Sequence, residues 1–316
     1  MLSVQELWST FKYYAYLLIY GTYFKYIIYI KTYKVRKSFE TLNSEDTIND
    51  ILKNNSSICR FGDGELRMIA YYLEHGDANK YNIDTFQRYS ADLGKRLLEV
   101  LMSDYSDCLI CMPYVFSNYS VYRGYEKLHW EREYCYYQDL LAYIAQNRKR
   151  MKFGDSCFTR FYFHRTDIRD YSKYIHNLKK IWDNEDIVFL EGDKSRLGVG
   201  NDLFDNAKSI KRFLLPTTNA FSKYDEILNA VKQLPKDKLY LLALGHTATV
   251  LAYDMYKLGF RAMDIGHVDI EYEWLRMGAK QKVAVPNKYV NEVNDGRIKT
   301  EYEDPIYLSQ VIGKIG

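Results

Sequence analysis

The stretch "CRFGDGELR", residues 59 to 67, sets Asp63 and Glu65 two positions apart, with Gly62 before them and Gly64 between them. Two carboxylates at that spacing can hold a hard divalent cation together if the backbone turns between them, leaving coordination positions for phosphate oxygens and water. The local alternative is capping, with Asp63 as N-cap of the next helix and Glu65 in its first turn. A second group, "EGDKSRLGVGND", places Gly192, Gly198 and Gly200 around Ser195 and Arg196. Glycines let N–H groups approach a phosphate, an arginine grips its oxygens in pairs, and a helix is expected to begin near Asn201. The spacing is neither G-x-G-x-x-G nor a P-loop, and a long turn between strand and helix is the alternative. In "DIGHVDIEYEW" five groups, Asp264, His267, Asp269, Glu271 and Glu273, crowd into eleven residues. If a helix starts after Gly266, His267 and Glu271 share one face, and Asp269 and Glu273 another. Metal ligation, base catalysis or binding of sugar hydroxyls are open to such groups, as is an acidic helix start. Two further sets are "LGHTATV", where Gly245 gives a tight exit before His246, Thr247 and Thr249, and "GDSCFTRFYF", with Asp155, Thr159 and Arg160 among aromatic rings.

These groups need a scaffold, and the apolar runs supply one. "SSIC", "IVFL", "RFLL", "LYLLAL" and "FRAM" each precede a polar, glycine-bearing segment. Helical patterns of ten or so residues separate the runs, among them "GELRMIAYYLEHG", "TFQRYSADLGKRLLEVLMS" and "YEKLHWEREYCYYQDLLAYIAQN". Short β-branched runs alternating with helices predict βαβ units. The fold class is α/β, Rossmann-like, with a mostly parallel sheet covered by helices on both faces. Ligands of such sheets bind outside the carboxyl ends of the strands, which is where all five motifs fall.

At 316 residues and 47% apolar content the chain can bury a substantial core, and a formal net charge of +3 gives no field of the kind a dedicated nucleic-acid binder carries. Five cysteines form an odd set, and Cys108-x-x-Cys111 lies inside a strand-like apolar run, which favours buried reduced thiols over zinc or redox chemistry. With no signal-peptide pattern, a reducing cytoplasmic setting is expected. Residues 11 to 37 mix tyrosine with Lys12, Lys25 and Lys31 and lack an uninterrupted apolar run of ~18 residues, so a spanning helix is not expected. A helix at the membrane interface, or one packed on the body of the protein or on a second copy, both suit this composition. The expected division is residues 1 to 44 as a helical segment and 45 to 316 as one catalytic domain.

Taken in order, "RFGDGE", "GDSCFTR", "EGDKSRLGVGNDLF", "LPTTNAF" and "LGHTATVLAYDMYKLGFRAMDIGHVDIEYEW" resemble the bacterial glycosyltransferases of the GT-D fold, over residues 45 to 295. The resemblance implies a nucleotide-diphosphate sugar donor, usually a UDP-sugar, and Mn²⁺ or Mg²⁺ on a D-x-E motif that falls here on Asp63 and Glu65. The function so implied is transfer of a hexose to a hydroxyl of a bacterial surface glycan, lipid-linked or protein-linked, at the inner face of the cell membrane. Arg196 and the amides near Gly198 and Gly200 are then expected to clamp the diphosphate, and Asn201 and Asp202 to fix ribose or sugar hydroxyls. Asp269 or Glu271 is the expected acceptor-side acid or base, with His267 behind it. Arg60, Gly62, Thr159, Arg160, Glu191, Gly192, Ser195, Asn219, Gly245 and Thr247 complete the expected donor pocket. A metal-dependent phosphoester hydrolase and a non-catalytic nucleotide-sugar-binding module at a membrane are the competing readings.

Overall fold

The structure is a computed structural model that describes residues 33–76, 86–163 and 165–316, with single positions between 11 and 30. The tyrosine-rich helix expected over residues 11 to 37, and the choice between membrane and protein packing, lie mostly outside the described residues. Its end, α1 (Tyr33–Ser38), is helical, and Val35 and Phe39 pack against the core. No helix among the described residues is long and apolar enough to cross a membrane.

The chain then alternates strand and helix. It runs β1 (Glu40–Thr41), α2 (Ser44–Asn54), β2 (Ser57–Arg60), α3 (Asp63–His75), α4 (Ala91–Met102), β3 (Cys108–Met112), α5 (Gly124–Asn147), β4 (Lys152–Asp155) and α6 (Tyr171–Lys179). The second half is β5 (Asp186–Gly192), β6 (Ser209–Leu215), α7 (Tyr224–Val231), β7 (Leu239–Ala243), α8 (His246–Lys257), β8 (Arg261–Asp264), α9 (Val268–Arg276), α10 (Pro305–Gln310) and β9 (Val311–Lys314). The strands form one sheet in the order β1-β4-β3-β2-β8-β7-β5-β6-β9, and every pairing is parallel. Helices cover both faces. Alternation along β3 shows why its run is continuously apolar: Cys108, Ile110 and Met112 face one core, with Leu66, Leu97 and Tyr134, while Leu109 and Cys111 face the other, with Ile51, Leu178 and Trp182. All five cysteines are free thiols, four of them buried.

Local chemistry fixes the ends of the elements. Asn43 caps α2 by accepting the Asp46 N–H, and Asn55 closes it at φ +54°. Ser90 caps α4 by accepting the Leu93 N–H at 3.3 Å, so residues 86–90, which share the helical spacing, stay outside the helix that begins at Ala91. The sheet takes in Glu40 and Thr41, and the division expected at residue 45 therefore falls inside α2. No helix begins near Asn201. Residues 201–208 return to β6 through turns, because Leu203 and Phe204 drop into the core beside Trp182 and the Asn184 N–H is held by the Asn206 carbonyl at 2.8 Å.

Candidate active site

A cleft of about 620 Å³ opens outside the carboxyl ends of the central strands. Three helices start at it from neighbouring strands: α3 after β2, α9 after β8 and α8 after β7. The first-turn N–H groups of a helix have no partner within it and carry partial positive charge, so an anion in this cleft is favoured from three directions. The helices approach closely because glycine stands at the contacts. A Cβ on Gly64 would lie 2.4 Å from His246 Nε2, and one on Gly266 would lie 1.8 Å from Arg60 Nη2. Gly64 is thus a packing residue inside α3, not a turn between two carboxylates.

Arg60 ends β2 and braces three elements. Its Nε donates to the Asp264 carbonyl at 2.8 Å, Nη2 to Asp264 Oδ1 at 2.9 Å, and Nη1 to the Ser156 carbonyl at 3.0 Å and Thr159 Oγ1 at 2.8 Å. Burial raises the pKa of Asp264, and the Arg60 guanidinium opposes that shift. Thr159 therefore serves the cleft through Arg60.

Gly62, not Asp63, is the N-cap of α3, and Glu65 closes the turn by accepting the Gly62 N–H at 2.8 Å. Asp63 is the first helical residue, and its carboxylate is left for other work. Its Oδ2 lies 3.4 Å from His129 Nε2 on α5, and the side chain is 46% exposed. Burial favours the neutral acid, but the His129 imidazole, together with Arg67 and Arg160, outweighs it and holds the Asp63 carboxyl well below the usual carboxylate range. Behind it, the buried Glu133 gathers Arg67, Arg132 and the Tyr137 hydroxyl. That hydroxyl lies 2.5 Å from Glu133 and 2.8 Å from the Asp63 carbonyl and donates to one at a time. Asp63 and Glu65 both line the cleft, while among the described residues no cluster of three His, Cys, Asp or Glu side chains has metal-site geometry. Both residues stand in the first turn of α3, and Glu65 Oε2 is taken by the Gly62 N–H, so the oxygens left for a hard divalent ion are those of Asp63 and Glu65 Oε1.

The acid-rich segment divides by role. Asp269 is fully buried: Oδ1 accepts the Gly198 N–H at 3.0 Å and Asn201 Nδ2 at 2.7 Å, and Oδ2 pairs with Lys288 Nζ at 2.6 Å. Lys288 also reaches Glu273 at 3.1 Å, and Asn201 reaches the same carboxylate at 2.6 Å. Glu271 accepts the Tyr162 N–H at 2.9 Å and stands 3.5 Å from Arg160, while burial raises its pKa. Asp269 is closed to the expected role of base, because it is buried and hydrogen-bonded on each oxygen, whereas Glu271 is bonded on Oε2 alone. His267, just before α9, lines the cleft and pairs instead with Glu292: Nδ1 and Oε2 are 3.3 Å apart. Arg160 Nη1 binds the other oxygen of Glu292 at 2.8 Å.

The 192–202 loop is also committed to structure. Arg196 is buried, with its guanidinium on the carbonyls of Asn287 (2.7 Å) and Thr300 and over the Tyr302 ring, so the expected diphosphate clamp faces the wrong way. Glu191, fully buried, accepts the Leu197 N–H at 2.7 Å and pairs with Arg212 at 2.6 Å. The Gly200 carbonyl accepts from Arg276, and Asp202 meets Tyr272 and Lys179 away from the cleft. The Gly192 carbonyl closes a turn with the Ser195 N–H, and from this loop only Ser195 and Leu197 line the cleft. Asn219, at φ +52°, holds Gln87, which in turn accepts from Thr247, so both support the wall through Phe86 and Gln87. Of the expected set, Arg60, Gly62, Asp63, Glu65, Arg160, Ser195, Gly245, His267, Asp269 and Glu271 meet at the cleft. The motifs did not include His129, Lys282 and Glu292, and Arg67, the last residue of the first motif, was assigned no role there. His129 and Glu133 were visible as an i, i+4 pair on a predicted helix, whereas Glu292 lies in an irregular segment with no periodic signal.

Residues 58–293 match the profile of the family described as "Glycosyltransferase GT-D fold". The chain is 34% identical over 280 residues to the "Probable glycosyl transferase Gly" of Streptococcus gordonii, covering 88% of this chain and 39% of that protein. It is 33% identical over 272 residues to "Glycosyltransferase GlyD" of Streptococcus pneumoniae serotype 4, covering 86% of this chain and 32% of the relative. It thus spans 32% to 39% of the length of these curated relatives. Among solved structures, one described as a domain of unknown function 1792 with a distinct glycosyltransferase fold superposes with a TM-score of 0.78 at 33% identity, covering 89% of this chain and 98% of that one. Another, described as a new glycosyltransferase from Streptococcus sanguinis, gives 0.77 at 32% identity, covering 88% and 100%. On the family match, the identity to these relatives and the superposition of the whole fold, the chain belongs to the glycosyltransferase GT-D fold family.

Proposed function

We propose that the protein transfers a hexose from a UDP-sugar to a hydroxyl of a bacterial surface glycan. The observation that carries this reading is the partly exposed Asp63 carboxylate, not used by the helix cap, at a cleft where three helix N-termini converge. Departure of a nucleoside diphosphate builds negative charge, and preorganised positive dipoles and cations aimed at that charge lower the barrier most. Here the N-termini of α3, α8 and α9 supply the dipoles, and Arg160 and Lys282, both partly exposed in the cleft, supply side-chain cations. Asp63 and Glu65 would hold Mn²⁺ or Mg²⁺, which when bound neutralises diphosphate charge. A lipid-linked or protein-linked acceptor on the cytoplasmic side of the membrane suits the tyrosine- and lysine-rich segment before the sheet, which would act as a peripheral contact.

The test is a panel of UDP-hexoses with alkyl glycoside acceptors, read by UDP release with and without manganese. Release is expected to need both acceptor and metal, and Asp63→Ala is expected to lower it by about 10²- to 10³-fold while the variant still melts cooperatively, somewhat below the wild type because His129 loses its carboxylate. Full activity in Asp63→Ala would sink the assignment. Equal release without acceptor would favour a hydrolase.

A further inference from the structure

A transferase that activates an acceptor hydroxyl needs a base whose lone pair is free and whose other side is fixed. Of the two carboxylates next in line, Asp269 is hydrogen-bonded on both oxygens, to Lys288, Asn201 and Gly198, and Glu271 is buried with Oε2 on the Tyr162 N–H and Oε1 3.5 Å from Arg160, which favours its role as a partner of that cation. His267 differs. Its Nδ1 is shut off from solvent and stands 3.3 Å from Glu292 Oε2, an ion-pair distance, and neither atom has a hydrogen-bond partner, so each is left for the other when the ring carries its proton there. The ring still lines the cleft, with 27% of the side chain exposed. The exposure therefore lies on the edge away from Nδ1. Glu292 is itself oriented, because Arg160 Nη1 binds its Oε1 at 2.8 Å and Lys282 lies 3.6 Å from the same oxygen. A carboxylate beside Nδ1 fixes the tautomer with the proton on Nδ1 and leaves the Nε2 lone pair free, the arrangement by which an imidazole accepts a proton from a hydroxyl.

We propose that His267 is the catalytic base for the acceptor hydroxyl, that Glu292 is its positioning residue, and that transfer consequently inverts the anomeric centre. This rests on the transferase reading above. In the step, the acceptor oxygen forms the new bond to the anomeric carbon while the bond from that carbon to the β-phosphate oxygen breaks. The electron pair of that bond leaves with the nucleoside diphosphate. The acceptor proton goes to His267 Nε2, the resulting imidazolium is held by the Glu292 carboxylate, and the proton is then lost to water. A base on the acceptor serves attack from the face opposite the leaving group, which inverts configuration. The charged groups facing the ring support a neutral resting state: burial, then Arg160, lowers the pKa of His267, with Arg60 acting in the same sense and Glu292 opposing. Glu292 is held well below the usual range, where Arg160, His267 and Lys282 outweigh its burial.

The experiment uses the full chain with the UDP-hexose and alkyl glycoside that support wild-type transfer. His267→Ala is expected to lower kcat by about 10²- to 10⁴-fold with the donor KM within about threefold, and added imidazole is expected to restore part of the rate. Glu292→Gln should lower kcat less and move the acidic limb of the pH profile to lower pH, since the imidazolium loses its anionic partner, and Glu292→Asp should move it back. Proton NMR of the product should show the anomeric configuration opposite to that of the donor. A retained configuration, or a His267→Ala enzyme within about threefold of wild-type kcat, would overturn the assignment. Absence of transfer by the wild type with every donor would instead remove the transferase reading, and this step with it.

Discussion

Lys288 decides what Asp269 and Glu273 can do. Two carboxylates share its one buried ammonium, at 2.6 and 3.1 Å, and that pairing turns part of the acid-rich segment from chemistry into a clamp between α9 and the 198–201 loop. Removing one partner of a buried pair leaves a charge without compensation, so Lys288→Met is expected to cost about 3–5 kcal/mol in urea unfolding. A loss below about 1 kcal/mol would show that the carboxylates find another partner. The same residue explains why the acid cluster was legible but its roles were not. Asp269, Glu271 and His267 stand close together in sequence, whereas Lys288, Arg160 and Glu292, which sort them into structural and free groups, come from elsewhere in the chain. Arg196 carries the same lesson: its residue type suited a phosphate, but its partners are backbone carbonyls about a hundred positions away.

At the level of elements, the rule that ligands gather at strand carboxyl ends located the cleft from sequence alone, because glycine and polar residues follow each apolar run whatever the strand order. The helix expected near Asn201 failed for a reason sequence periodicity does not report: Leu203 and Phe204 serve the core as isolated anchors rather than as one face of a helix. The exit of β5 is tied down by charge instead. Burial raises the pKa of Asp193, but the Thr217 hydroxyl at 2.5 Å and Lys194 at 3.2 Å outweigh it, with Lys314 of β9 adding to the shift, and hold the carboxyl below its ordinary 3.8. A folded-state pKa below the unfolded one means the stability Asp193 adds is complete above about pH 4 and is lost as pH falls through the lower folded value. Asp193→Asn should therefore melt below the wild type near pH 7, with the gap closing toward about pH 3. A gap that stays constant with pH would assign the effect to the hydroxyl bond alone.

For the whole molecule, the parallel α/β class was readable because strands buried on both faces must be continuously apolar, and the two large cores, one on each face of the sheet, follow from their alternation, with a smaller third cluster around Trp274. The order of nine strands was not. Pairing partners are set by long-range packing, and β1 is only two residues long, too short to leave a pattern. The observed order puts the first strand of the sheet at one edge and the last at the other. The sheet is therefore a ruler. Eight inter-strand steps of ~4.8 Å separate its ends, on the order of 40 Å before twist is counted. Spin labels on Glu40→Cys and Lys314→Cys should give a dipolar distance near that value when folded and a broad, longer distribution in denaturant. A folded mean below about 25 Å would contradict the strand order. Because the labels sit at opposite margins with the cleft between them, this one spectroscopic width reports on both halves of the sheet at once, a gauge for any substitution that loosens the cleft without abolishing the fold.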